Sequence, residues 1–137
     1  MNKVMFAILA AVFAVGVMAG EANAGNQRLT VQSMSVNGTT PTYNGSLTAS
    51  TSNYLVRNDG RVFLHFKKSE AAACTVTIVT QATLSGYAVS DLSVTVGAST
   101  GDVMVGPFPT SIFNDTSGDI NFTVSNAAGL TVAVMKL

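Results

Sequence analysis

The stretch Ile120-Asn121-Phe122-Thr123-Val124 decides how this chain folds. Apolar side chains occupy every second position, and the residues between them are small and polar. A helix would need its apolar residues three and four apart, whereas period two places Ile120, Phe122 and Val124 on one face of a strand. The same rule repeats at Cys74-Thr75-Val76-Thr77-Ile78, at Leu92-Ser93-Val94-Thr95-Val96 and at Leu130, Val132 and Val134. Each segment reads as a half-buried strand, with Thr or Ser lining its outer face. Further strands are expected over residues 29–36, 54–57, 62–66, 84–89 and 103–105.

Turn chemistry separates these segments. Asn58-Asp59-Gly60 lies between two apolar runs and predicts a hairpin, because Asp-Gly adopts the positive φ that tight turns require. Ser117-Gly118-Asp119 and residues 126–129 are further turns. Gly106-Pro107-Phe108-Pro109 lacks two ladder donors and reads as a stiff extended crossing between two sheets. Residues 37–53, rich in Thr, Ser, Asn and Gly, read as a long loop or a weakly paired edge. Eight or nine short strands at this spacing predict an all-β, antiparallel β-sandwich, jelly-roll-like, with no helix after residue 25. Val76, Ile78, Val94, Val96, Phe122, Val124, Val132 and Val134 are expected to form its core.

An apolar N-terminal segment precedes the strands. Lys3, the run from Val4 to Met18 and the ending Ala22-Asn23-Ala24 before Gly25 have the layout of a secretory signal peptide. The run is shorter than the roughly 20 residues that cross a bilayer core. Residues 1–24 are therefore set apart from a domain over 25–137. A cleaved signal is the first reading. A retained helix buried in a neighbouring subunit and a membrane-associated arm stay open, and membrane contact is expected only if the segment is retained.

Composition narrows the function. Of 137 residues, 47% are hydrophobic and only 10% charged, with zero formal net charge; about a quarter charged is usual. Nucleic-acid binding needs clustered Lys and Arg and is not expected. A neutral surface suits packing against neighbours, because few charges must be desolvated on contact. The single Cys74 permits no internal disulfide and reads as a buried hydrophobe.

No catalytic, cofactor-binding or metal residue is assigned, and no small-molecule substrate is expected. His65 is the only histidine and reads as a half-exposed strand residue, because nothing marks a nucleophile or acid beside it. Asp115-Thr116-Ser117-Gly118 resembles an aspartic-protease loop only superficially, since that chemistry needs two facing carboxylates. Asp115 and Asp119 together are a weak calcium candidate beside the plainer reading of a turn. Asn37, Asn44, Asn114 and Asn121 each open an Asn-x-Ser/Thr triplet, expected often by chance in this composition. Arg57, Arg61, Lys67 and Lys68 form the one basic concentration, read as edge-strand protection or as a contact patch for an acidic neighbour.

A resemblance extends over residues 58–137. Asn58-Asp59-Gly60-Arg61 followed by Phe63-Leu64 opens the matching series, and the strand over residues 75–80 comes next. Gly86-x-Ala88-Val89-x-Asp91 then leads into Val94-x-Val96. Gly106-Pro107-Phe108-Pro109, Asn114-Asp115 and the closing Val132-Ala133-Val134-x-x-Leu137 complete it. In this order the elements resemble small β-sandwich structural proteins of tailed phages. The resemblance implies a non-enzymatic virion protein that decorates or cements a capsid, with further copies of itself or the major capsid protein as partners. The leader departs from that group and supports the alternative, a secreted bacterial surface or filament subunit. A carbohydrate-binding module is a third class, opposed by the absence of Trp and by 7% aromatic residues.

Overall fold

The computed structural model describes residues 26–49 and 53–137, so the signal-like segment 1–24 lies outside the described residues. In chain order the strands are Gln27–Leu29 (β1), Gln32–Ser33 (β2), Tyr54–Arg57 (β3), Val62–Lys68 (β4), Cys74–Ile78 (β5), Thr83–Leu84 (β6), Tyr87–Ala88 (β7), Leu92–Val96 (β8) and Gly101–Val105 (β9). A one-turn helix, Thr110–Phe113 (α1), precedes Asp119–Val124 (β10) and Leu130–Lys136 (β11). Sheet A has the order β1-β3-β10-β5-β8, sheet B the order β2-β11-β4-β9, and β6-β7 stand apart as a two-stranded ribbon.

Period two builds the core. Val62, Leu64 and Phe66 point inward from β4, as do Cys74, Val76 and Ile78 from β5 and Ile120, Phe122 and Val124 from β10. Leu130, Val132 and Val134 of β11 complete a single cluster to which both large sheets contribute. Phe122 lies at its centre, with ring centroids 5.2 Å from Tyr54 and 5.7 Å from Phe66. Of the expected core residues only Val94 is half-buried, because among the described residues β8 is the last strand of its sheet and lacks a neighbour on one side.

The fold is all-β and sandwich-like, but its sheets are mixed rather than purely antiparallel. β1 runs parallel to β3, and β2 runs parallel to β11. A parallel pair needs a long connection between its strands, and the stretch between Ser33 and Tyr54 supplies it. The strand expected over residues 29–36 is thus two short pieces, one on each sheet. Asn44 makes an isolated antiparallel bridge to Val132, which ties this otherwise irregular stretch to β11.

Asn58-Asp59-Gly60 is a turn, with Gly60 at φ +90°, but not a hairpin: β3 and β4 belong to different sheets. The expected strand over residues 84–89 is instead the β6-β7 ribbon, whose turn residues Ser85 and Gly86 both have positive φ. The expectation of no helix fails at α1, where Phe113 N–H bonds back to Pro109 O. The connection from β9 through Gly106-Pro107-Phe108-Pro109 to β10 does cross between the sheets, and Phe108 is buried beside Phe113.

Candidate functional site

Three surfaces gather the chain's chemistry. The first is the outer face of sheet B. Leu64 and Phe66 face the core, so the alternate residues His65 and Lys67 point to the other face. Ala133 stands opposite His65 on β11 and Met104 opposite it on β9, while Asp102 stands opposite Lys67. The small Ala133 leaves room for Tyr43, which the neighbouring Asn44 bridge brings over the sheet. Tyr43 Oη lies 2.8 Å from His65 Nδ1, and His65 Nε2 lies 2.5 Å from Asp102 Oδ1. Lys67 Nζ sits 5.0 Å from the Tyr43 ring centroid and 3.9 Å from Asp102 Oδ2. The hydrogen bond from His65, supported by the positive charge of Lys67, holds the Asp102 carboxyl below its ordinary range.

His65 is therefore buried, not half-exposed as its strand position predicts. Tyr43 covers the ring and Asp102 occupies its far nitrogen. With Asp102 ionised and the imidazole neutral, Nε2 donates to the carboxylate and Nδ1 accepts from the Tyr43 hydroxyl. Hydroxyl, imidazole and carboxylate stand in the order of a catalytic relay. The Tyr43–His65 bond latches the loop to β4, and the His65–Asp102 bond ties β4 to its sheet neighbour β9.

The second group surrounds the turn before β10. Both terminal guanidinium nitrogens of Arg28 donate to the buried Asp119 carboxylate, at 2.7 and 2.5 Å, and so pin β1 across β3 onto β10. Asp115 accepts from Asn121 Nδ2 at 2.9 Å and from the backbone N–H groups of Ser117 and Asp119 at 2.8 and 3.0 Å. These donors, led by Asn121, keep its carboxyl below the ordinary range. The two carboxylates weighed as a calcium pair are thus committed to separate protein partners. Among the described residues no cluster of three or more His, Cys, Asp or Glu could hold a metal.

The four basic residues do not guard a sheet edge. β3 lies between β1 and β10, and β4 between β11 and β9, so neither is an edge. Arg57 donates to Ser117 O, Arg61 pairs with Asp59, and Lys67 pairs with Asp102. Lys68 is buried, with Nζ 2.5 Å from Ala128 O. The edge-protection reading gives way to local pairing, because neither strand is an edge. Cys74 is buried in the core, as expected.

Two side-chain groupings escaped the sequence reading. Tyr43 and Asp102 are 22 and 37 positions from His65, with no local pattern to link them. Asn58, buried, donates to Phe108 O at 2.9 Å and to Asn114 Oδ1 at 2.6 Å, while Asn114 Nδ2 returns a bond to Asn58 O at 3.0 Å. This clasp joins two of the connections that cross between the sheets. Of the Asn-x-Ser/Thr positions, Asn114 and Asn121 spend their amide nitrogens on such internal bonds, and Asn37 is exposed.

A cavity of about 380 Å³ opens between β1 and the Tyr43 loop, floored by Leu29, Val132 and Val134. Its polar rim is already engaged. Gln32 bonds both backbone groups of Thr42, and Arg28 is held by Asp119.

The third region is nearly uncharged. From Ala71 to Gly101 the only charged residue is Asp91. The outward residues of β5 and β8 are hydroxyls, with Thr75 opposite Thr95 and Thr77 opposite Ser93. In the chain between β5 and β8, Leu84 and Tyr87 of the ribbon are 74% and 79% exposed, and Val89 and Leu92 are also open to solvent. No protein family, curated protein or solved structure matches this chain.

Proposed function

We propose that the protein is a non-enzymatic structural subunit of a virion, bound to a capsid shell as a decoration or cement protein. The observation that carries this reading is the stretch of residues 71–101, which exposes Leu84 and Tyr87 and holds one charge in 31 residues. Large apolar side chains left open to solvent favour contact with another protein, and a stretch nearly without charges loses little on being covered. Each ionisable group of the His65 and Asp119 networks is spent on internal bonding, which suits a scaffold better than a reactive centre. The partners in this reading are further copies of the chain or the major capsid protein. Nucleic acid, a small-molecule substrate and a cofactor have no part in it.

The finer fold assignment belongs to the same proposal. β10 lies between β3 and β5 in one sheet, and β11 lies between β2 and β4 in the other. Two such interleaved returns make a double Greek key, the plan of a jelly roll, with β2 and the Asn44 bridge standing where its first strand would run. Jelly rolls build many capsid proteins, which supports the reading by analogy only. The resemblance over residues 58–137 points the same way.

The signal-like residues 1–24 favour a second reading, a bacterial surface or filament subunit assembled after export. Purified particles from the native source decide between them. Stoichiometric copies in virions, measured by quantitative mass spectrometry, are expected. A chain found only outside the cell, shortened by residues 1–24 and absent from virions, would refute the virion reading in favour of the second.

A further inference from the structure

We infer that β8 is the edge through which two copies of this chain join, antiparallel and strand to strand, so that sheet A of one continues into sheet A of the other. The inference rests on the structural-subunit reading and names its partner.

Open strand edges invite pairing, and proteins blunt them with charges, prolines, bulges or shortness. β1 has three residues and carries Arg28, β2 has two, and β9 carries Asp102. β8 has none of these defences. Leu92-Ser93-Val94-Thr95-Val96 is five residues long and contains no charge and no proline, and its register with β5 is unbroken. Among the described residues no strand pairs with its other side. Leu92 and Val94 belong to the row that faces the core, yet Leu92 is exposed and Val94 half-exposed, while Val96 at the end of the same row is buried.

The strand is also complementary to itself. Antiparallel pairing about Val94 sets Val94 against its own copy, Leu92 against Val96 and Ser93 against Thr95. Each apolar residue meets an apolar residue, and each hydroxyl meets a hydroxyl. The same register places Asp91, the only nearby charge, opposite Gly97, so no like charges meet. Such pairing adds main-chain hydrogen bonds and covers Leu92 and Val94 of each copy, the physics of strand addition at a sheet edge, with the self-complementarity that a two-fold interface requires. The ribbon runs into β8 through Val89-Ser90-Asp91, so its exposed Leu84 and Tyr87 sit on the chain immediately before the joined edge.

The test uses the full chain in sedimentation equilibrium at micromolar concentrations. A dimer is expected. Ser93→Lys with Thr95→Lys, both at exposed positions that the fold tolerates, should raise the dissociation constant at least about tenfold, since four ammonium groups would meet across the axis. Val94→Cys should give a covalent dimer on mild oxidation, because directly opposed residues stand about 4.5–5.5 Å apart, within disulfide reach. Gln27→Cys, on the opposite edge of the sheet, should give none. A monomer at every concentration would overturn the inference, as would a dimer indifferent to the paired lysines. Slow hydrogen exchange along β8 in a monomer would assign the edge to residues 1–25 of the same chain and likewise overturn it. A chain that enters particles as single copies sinks the pairing and leaves the structural role standing. A β8 dimer that enters no particle does the reverse.

Discussion

Replacing Phe122 with alanine removes the ring on which the two sheets meet. The side chain is fully buried, stands opposite Ile78 and Tyr54 in its ladders, and touches Phe66 of the facing sheet edge-on at 86°. Deleting a buried Phe costs about 3–5 kcal/mol, the transfer free energy of the lost atoms plus the cavity they leave. Two aromatic contacts are lost as well, at about 0.5–1.5 kcal/mol each, which places Phe122 in the upper part of that range. Both flanking strands are hydrogen-bonded on either side of β10, so the backbone has little freedom to collapse into the gap. Urea unfolding reads the effect directly. With a slope of about 1–3 kcal/mol per molar for a domain of this size, the midpoint should fall by on the order of 2 M with the slope unchanged. A loss below about 1 kcal/mol would refute the reasoning, because it would mean that Phe122 does not point between the sheets.

Single contacts set the other expectations. Gly106→Ala places a Cβ 2.9 Å from Phe63 Cα and Val62 O at a φ of +123°, and should cost at least about 2 kcal/mol in the same assay. Tyr43→Phe removes the hydroxyl that bonds His65, and should cost about 1 kcal/mol while speeding amide exchange of Asn44 with little change in β5 or β10. The Asp102 and Asp115 carboxyls lie below their ordinary range when folded, so the stability they contribute is present above the unfolded-state value near pH 4 and is lost as pH falls through the lower folded values. Urea midpoints measured between neutral pH and pH 2 should fall in that window, and Asp115→Asn should flatten the decline. His65→Gln and Cys74→Ser should lower stability but leave particle assembly intact; loss of function in a folded, assembled variant would reveal a reactive role that the latch reading denies.

How far the chain can be read before it folds depends on the range of each signal. Alternation within five residues is local, so the inward rows of β5, β10 and β11 were legible as written, and Cys74 fell into place with them. Positive φ at Gly60 was legible for the same reason, since Asp59-Gly60 carries that preference itself. The course of the chain beyond Gly60 was not legible. A turn between two apolar runs looks the same whether the second run returns beside the first or crosses to another sheet, and the Asn58 clasp that holds the crossing depends on Phe108 and Asn114, 50 and 56 positions away. Lys67 and Lys68 read as edge guards because charges commonly mark edges; only the placement of β4 between β11 and β9 makes one of them an outward partner of Asp102 and buries the other. The parallel course of β1 and β2 likewise depends on where the chain returns after residue 33. Side-chain alternation by itself determined which face of each strand is buried. Only the tertiary structure decided which strands are neighbours, which edge stays open at β8 and which residues meet at His65, because pairing joins segments distant along the chain and leaves no mark on the local pattern of either partner.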